Sequence, residues 1–327
     1  MSSCDLSISL DSSDRSYGPG DRVSGTVQVE VSEEVSKQEL RVTLGWHTHG
    51  RGNVAKEEVA RAVLHSGSLE AGTRHSYPFE LSLPKDGPYT YHGHNLNVDW
   101  QVEARSDISW ARDPVAREDI LVTPGEASPR VTESSQGGDG AGKQQSDPQR
   151  VQRAMLVVGL LGFAGGIAAV FLTDSLFPGI ASVFGLLIAA GPIRRSIASR
   201  RTGDVRFELG ELTQADEIQC SVHFAPKASA QINSVRARLL VQEVVTRGSG
   251  TNRRTYRHDV HEHGADMLAA GRSAYGYTHS ARLPIPQPVP WSFSASDNNL
   301  MWMVEVHIDV AGWPDWKSQF PIWIAPG

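Results

Sequence analysis

Apolar and polar residues alternate with a period of two through most of the N-terminal 124 residues and again in the C-terminal third of the chain. In the segment RVSGTVQVEV, for example, Val27, Val29 and Val31 stand at alternate positions. This alternation is typical of half-buried strands, and turn sequences rich in Gly, Pro and Asp separate the runs. Many short strands in regular succession predict an all-β fold of antiparallel β-sandwich type.

The two strand-rich regions repeat one another. A Trp-x-Val-Glu block occurs at Trp100 and again at Trp302, and each Trp lies 24 residues before a Pro-Gly pair, at Pro124 and Pro326 (124 − 100 and 326 − 302). The offset between matching segments widens from 195 to 202 residues along the chain (215 − 20 and 302 − 100), as inserted loop residues would produce. The chain therefore holds two copies of one sandwich domain.

The motifs of the first copy resemble a known family. YGPGDRVSGTVQVEV, followed by LEAGTRHSYPFELSLPKDGPYTYHGHNLNVDWQVEARSDI, is similar to the N-terminal domain of arrestin-like proteins. ARLPIPQPVPWSF, ahead of the second Trp block, resembles a diverged arrestin C-terminal domain. Bacterial sporulation-control arrestin-like proteins and the arrestin-like retromer subunit share this two-sandwich plan. The resemblance implies adaptor or scaffold work and no catalysis.

Between the two copies the composition changes twice. Residues 126–153 are polar and rich in Gly, Ser and Gln, which predicts a flexible linker. Two uncharged runs follow, from Ala154 to Leu172 and from Leu176 to Ile193. A helix over the first run would be roughly 28 Å long, close to the thickness of the hydrocarbon core of a bilayer.

Basic residues flank this apolar segment on both sides, which favours a helical hairpin with both ends in the cytoplasm. The prediction is a multi-pass protein of the cytoplasmic (inner) membrane, with both sandwich domains facing the cytoplasm. Two alternatives stay open: an apolar hairpin buried inside the protein, and a single pass with the second run in the interface. Small residues at Gly162 and Gly166 would allow close helix packing, within the hairpin or in a homo-oligomer.

The predicted fold is thus two tandem arrestin-like, immunoglobulin-like β-sandwiches separated by a linker and a two-helix transmembrane hairpin. The predicted domains are an arrestin-like N-terminal β-sandwich over residues 1–125, a flexible polar linker over 126–153, a transmembrane helical hairpin over 154–193, a basic juxtamembrane segment over 194–202 and an arrestin-like C-terminal β-sandwich over 203–327.

Composition narrows the function classes. The chain has 39% hydrophobic and 21% charged residues and a formal net charge of −6, which does not suggest a nucleic-acid partner. Its two cysteines, Cys4 and Cys220, do not form a disulfide framework and fit a reducing compartment. We find no signal-peptide pattern at the N-terminus, so we expect the first domain to stay in the cytoplasm.

Histidines are the candidate metal ligands. His47 and His49, and His92 and His94, form His-x-His pairs, while His258, His261 and His263 form the cluster that we predict as a metal site. Residues i and i+2 of a strand project from one face, so such pairs can supply two imidazoles to one ion. The alternative is a polar face at a strand end.

Other chemistry is sparse. Arg253, Arg254 and Arg257 are predicted to contact a partner or lipid headgroups, or else to lie on an exposed hairpin. We find no nucleophile, Walker or dinucleotide-binding motif, so no enzyme activity and no cofactor are expected.

These patterns predict a membrane-anchored, arrestin-like scaffold or adaptor protein that mediates protein–protein interaction at the cytoplasmic membrane face. Its partners would be a protein at the membrane, of unknown identity, and the lipid bilayer through the hairpin. The alternative is a metal- or ligand-responsive sensor, or an unrecognised hydrolase, that uses the histidine clusters. A structural part of a membrane complex is a third possibility.

Overall fold

The computed structural model describes residues 4–108, 113–124, 128–133, 202–213, 216–226, 230–273 and 276–326. Over these ranges the regular elements are strands, with one short 3-10 helix at Gly250–Asn252. The predicted all-β class is therefore confirmed.

The first nine strands form two sheets. They are β1 Cys4–Leu10, β2 Ser16–Tyr17, β3 Arg22–Val31, β4 Val35–Gly50, β5 Lys56–Leu69, β6 Arg74–Ser82, β7 Tyr91–His92, β8 Leu96–Ile108 and β9 Val115–Val122. One sheet has the order β1-β3-β6, and the other β2-β9-β8-β4-β5 with β7 paired to β8. Every pairing is antiparallel except that of β2 with β9.

The remaining strands form a second pair of sheets. They are β10 Pro129–Glu133, β11 Val205–Leu212, β12 Glu217–Phe224, β13 Ile232–Arg247, β14 Arg254–Asp266, β15 Leu268–Ser273, β16 Gly276–Pro284, β17 Phe293–Ala295, β18 Asn298–Val310 and β19 Trp316–Pro326. One sheet has the order β11-β12-β16-β15, and the other β10-β19-β18-β13-β14 with β17 paired to β18. The arrangement is consistent with two β-sandwiches, called here the first and second sandwich.

Strand periodicity places the core between the sheets. In β3 the residues Val23, Gly25, Val27, Val29 and Val31 are buried, while the residues that alternate with them are exposed or half-buried. Successive side chains of a strand point to opposite faces, so one face of β3 packs on the core and the other faces solvent. The alternation in the sequence therefore gives the orientation of this strand correctly.

A tryptophan anchors the same loop in each sandwich. Trp100 donates its indole N–H to the carbonyl of Pro88 at 2.8 Å, and Trp302 donates to the carbonyl of Pro290 at 2.7 Å. Both indoles are at most 1% exposed. The two tryptophans are 202 residues apart, and so are the two prolines that accept from them (302 − 100 and 290 − 88). The internal repeat read from the sequence is therefore a repeat of contacts as well.

A second pair of contacts obeys the same offset. Thr90 and Val122 exchange hydrogen bonds, with Thr90 Oγ1 accepting from the Val122 N–H at 2.9 Å. Ser292 and Ile324 do the same, with Ser292 Oγ accepting from the Ile324 N–H at 2.8 Å. In each sandwich a hydroxyl thus ties the loop before the Trp strand to the strand that follows it.

The predicted inner-membrane location is contradicted. The described residues are built from strands, and none of their helices is long and apolar enough to cross a membrane. The hairpin predicted over residues 154–193, with its end points Ala154, Leu172, Leu176 and Ile193, lies outside the described residues, as does nearly all of the segment 194–202.

The linker prediction missed a strand. Residues 126–153 were expected to be a flexible linker, but Pro129–Glu133 form β10, which pairs with β19. Backbone pairing needs no particular side chains, so a polar composition did not exclude it. Residues 134–153 of the predicted linker lie outside the described part of the chain.

The two Trp anchors generate a stability prediction. We expect Trp100→Phe and Trp302→Phe each to lower the free energy of unfolding by about 1–3 kcal/mol, because each loses a buried hydrogen bond and leaves unfilled volume. Denaturant unfolding of the purified chain measures the effect. Trp313, which is 42% exposed, supplies the control: Trp313→Phe should change stability by less than about 0.5 kcal/mol. Equal effects at all three positions would contradict the assigned role.

Candidate binding site between the two sandwiches

A turn of the first sandwich docks on a buried carboxylate of the second. Glu243, on β13, is 0% exposed. Its Oε1 accepts hydrogen bonds from the Tyr91 hydroxyl and the His94 N–H, both at 2.9 Å, and its Oε2 accepts from the Asn95 N–H at 2.6 Å. No ion pair to Glu243 occurs among the described residues, so these three donors compensate its burial.

Tyr91 is held in its protonated, donating form. Burial raises the pKa of its hydroxyl well above the usual value, and the hydrogen bond to Glu243 raises it further. An ionised phenolate beside a buried carboxylate would be unfavourable on both counts. Tyr91 therefore acts as a permanent donor at this contact.

The turn can approach Glu243 only because residue 93 is a glycine. A Cβ at Gly93 would overlap Glu243 Oε1 and would lie 2.7 Å from Tyr91 side-chain atoms. Real Cβ atoms do not approach heavy atoms so closely, so any larger residue must push the turn away from β13. The sequence Gly93-His94-Asn95 thus combines close approach with two backbone donors.

A second hydrogen-bonded contact joins the sandwiches at Asn53, in the turn between β4 and β5. The Asn53 amide donates to Asp297 Oδ2 at 2.6 Å and to the Gly248 carbonyl at 3.2 Å, and its Oδ1 accepts from the Gly248 N–H at 3.0 Å. The backbone N–H of Asn53 donates to the Thr246 carbonyl at 2.9 Å. In return, Asn298 donates its amide to the Asn53 carbonyl at 2.7 Å. We call the Glu243 and Asn53 contacts together the interdomain seam.

Beside the seam lies a cleft of about 630 Å³ between the sandwiches. Its walls are mainly aromatic, proline and histidine side chains: Tyr89, Tyr91, Trp291, Phe293, Pro124, Pro286, Pro288, Pro290, His92, His94, His258 and His261. Among the residues that line it, Glu243 is the only one of the Asp, Glu, Lys and Arg types. A concave site at a domain interface, apolar with few polar groups, has the usual character of a binding pocket.

Ring contacts across the interface hold the walls of the cleft. Tyr89 and Trp291, which occupy equivalent positions in the two sandwiches, lie with ring centroids 6.0 Å apart. His94 stacks on His258 at 4.3 Å. Such contacts stabilise a fixed arrangement, so the cleft is largely preformed.

His261 presents an unpaired ring nitrogen in the cleft wall. Its Nε2 is buried and has no hydrogen-bond partner among the described residues. Burial lowers the pKa of His261, and the neighbouring His263 lowers it further. The ring is therefore mainly neutral at pH 7.

The three histidines of the predicted metal cluster all lie on β14. His258 stacks on His94, and His261 lines the cleft, whereas His263 does not line it. The described residues contain no group of three or more His, Cys, Asp or Glu side chains that could hold a metal ion. A β-bulge in the pairing of β13 with β14, opposite Val241 and Gln242, places His258 on the same face of β14 as His261 and His263, which pair with Val241 and Leu239.

The predicted arginine cluster lies near the seam. Arg253 is paired with Asp297 at 2.8 Å, and Asp297 also accepts from Asn53, so this arginine supports the interdomain contact. Arg254 and Arg257 are exposed on β14. Contact of these arginines with a partner or a headgroup stays a prediction.

Sequence reasoning missed Glu243, Gly93 and Asn53. One signal was present: Glu243 interrupts the apolar run LLVQEVV, and a charge inside a buried strand requires compensating donors. The donors themselves are backbone N–H groups and a tyrosine some 150 residues away, and no local pattern indicates their proximity.

Close approach at Gly93 generates the second prediction. Gly93→Ala should lower the free energy of unfolding by about 1–3 kcal/mol, because the added methyl group overlaps Glu243 and forces the turn off β13. Calorimetry should also show the two sandwiches unfolding less cooperatively. Gly264→Ala is the matched control, since its Cβ would meet its nearest atom at 3.5 Å, an ordinary contact. The assignment is wrong if both variants behave alike.

The lowered pKa of His261 generates a pH prediction. A histidine whose pKa in the folded protein lies below its ordinary value of 6.5 binds its proton more readily in the unfolded chain. Stability is therefore lost as the pH falls through 6.5. We expect His261→Gln to reduce this loss, as measured by urea unfolding of both proteins at pH 7.5 and pH 5.5. A stability difference between them that does not change with pH would contradict the prediction.

Comparison with known proteins gives a family match in the N-terminal part of the chain and a structural match over most of it. No curated protein sequence matches the chain. Among solved structures, the crystal structure of Spo0M, a sporulation control protein from Bacillus subtilis, is 12% identical, with a TM-score of 0.32 over 98% of this chain and 91% of that chain. Residues 7–152 match the family model Spo0M, described as SpoOM protein. The match of residues 7–152, less than half of the chain, to this family model agrees with the predicted resemblance to bacterial sporulation-control arrestin-like proteins.

Proposed function

We propose that the chain is an arrestin-like scaffold or adaptor protein that binds partner proteins in the cleft between its two sandwiches. The match of residues 7–152 to the Spo0M family model supports this proposal for the first sandwich. The second sandwich repeats the tryptophan anchor of the first, which supports one plan for both.

The observation that carries the proposal is the character of the cleft. Its walls are aromatic and proline side chains, and grooves of this kind bind extended, proline-rich or apolar peptide segments in other proteins. The one carboxylate, Glu243, and the lack of Lys and Arg among the lining residues disfavour an acidic ligand. We therefore propose a neutral or basic extended segment as the ligand.

The interdomain seam gives the cleft its fixed shape. Since the donors to Glu243 come from the first sandwich and the carboxylate from the second, the walls from both sides are held in register. A preformed groove lowers the ordering cost of binding. This arrangement suits recognition, and the sequence offers no nucleophile motif that would suggest catalysis.

Site-specific photo-crosslinking in cells tests the proposal. A photoreactive residue at Val260, which lines the cleft and is 37% exposed, should give a discrete adduct with a partner protein. The same residue at Glu80, exposed on β6 and not among the residues that line the cleft, serves as the control and should not give that adduct.

A second variant distinguishes binding in the cleft from nonspecific crosslinking. Tyr89→Ala removes part of the aromatic wall and should weaken the Val260 adduct at least about fivefold, given the usual contribution of a buried aromatic anchor. Circular dichroism of the variant checks that it is folded. The proposal fails if Val260 yields no adduct, or if Val260 and Glu80 yield the same adducts.

A further inference from the structure

Strand β10 belongs to the second sandwich although it follows the first in sequence. Its five residues pair antiparallel with the outer edge of β19, from Pro129 opposite Pro326 to Glu133 opposite Ile322. The chain therefore supplies its own strand to an edge that would otherwise be open, which is strand addition within one molecule.

This strand is held weakly. None of its residues is buried, and Val131 is its one apolar side chain that packs against the hydrophobic core. Within the described ranges, no side-chain hydrogen bond or ion pair fixes β10 to its neighbours, and Pro129 has no N–H to donate. Its attachment therefore rests mainly on a short backbone ladder to β19, the packing of Val131 and the proximity of β11.

The corresponding strand of the first sandwich is better anchored. β2 pairs with β9 at the position equivalent to β10 on β19, and its Tyr17 is only 7% exposed. Next to it, Arg15 forms an ion pair with Glu118 at 2.7 Å. The weak hold of β10 is thus particular to the second sandwich.

β19 extends beyond the segment that pairs with the described residues of β10. β19 runs from Trp316 to Pro326, but β10 covers only Ile322–Pro326. On that edge, Trp316–Pro321 have no partner strand among the described residues. A longer strand would therefore make more backbone hydrogen bonds than β10 does.

We propose that the outer edge of β19 is a strand-addition site, where an extended segment of a partner protein displaces β10. The segment would run antiparallel to β19, place an aliphatic residue at the position of Val131, and exceed five residues. Main-chain pairing would supply affinity, and the side chain at the Val131 position would supply selectivity. This site is separate from the cleft and does not depend on it.

A labelled peptide with the sequence SPRVTES, that of β10 with one flanking residue on each side, tests the exchange on the full chain. Fluorescence anisotropy should show weak binding to the natural chain. Binding to Val131→Asp should be about tenfold tighter, because the resident strand loses its apolar contact. The same peptide with Asp at the valine position is the matched control and should bind neither chain.

A covalent lock tests displacement directly. Arg130 and Ala325 are opposite one another across the two strands, so cysteines at both positions can form a disulfide. Both natural cysteines are buried, so they should not interfere. The oxidised variant should lose peptide binding, and reduction should restore it.

Two outcomes would overturn the proposal: equal binding to the oxidised and reduced lock, or binding to Val131→Asp no tighter than to the natural chain. Neither result bears on the cleft, because the crosslinking experiment at Val260 uses a different surface. Crosslinking in the oxidised lock should persist, so the two proposals can fail separately.

Discussion

The carboxylate of Glu243 is the contact on which the arrangement of the two sandwiches depends. A charge at 0% exposure is unfavourable unless hydrogen bonds replace its lost hydration, and here all three donors come from the other sandwich. Separating the sandwiches would leave both the carboxylate and its donors without their hydrogen-bond partners. The relative orientation of the two domains is therefore specified chemically, and the cleft beside Glu243 takes its shape from that orientation.

The pseudo-symmetry of the chain is broken at this same place. Thr48 on β4 lies opposite Val98, and Glu243 on β13 lies opposite Leu300, so Thr48 and Glu243 occupy equivalent positions in the two sandwiches. Thr48 is also buried, but its hydroxyl accepts a hydrogen bond from Ala55 within its own domain. Because only one of the two positions carries a charge, the two sandwiches cannot exchange roles. The two copies of the domain therefore have different roles at their interface.

Patterns among residues close in sequence predicted the strands and the internal duplication. The alternation around Val27 and Val29 gave a strand with its buried face, and the repeated Trp-x-Val-Glu blocks gave the duplication, because each follows from residues close in sequence. The site was beyond such reasoning. Gly93 and Glu243 are 150 residues apart, and β10 pairs through backbone atoms that leave no trace in composition.

Two further predictions from the sequence concern the inner-membrane location and the histidine metal site. The inner-membrane location is contradicted, and the apolar runs that suggested it lie outside the described residues. The metal site at His258, His261 and His263 stays a prediction: the bulge opposite Val241 and Gln242 places all three on one face of β14, which spacing on a regular strand does not anticipate. His258 and His261 also line the cleft.

The pairing of β10 with β19 also has a consequence for the order in which the protein is made. β10 leaves the ribosome nearly 200 residues before the strand that it pairs with, so it waits without its partner while the other strands of the second sandwich are synthesised. Contacts of such long sequence separation form late in folding. Pairing of β10 therefore has to wait until β19, the last strand in chain order among the described residues, has been synthesised, and β19 also supplies Ile322 and Ile324 to the core.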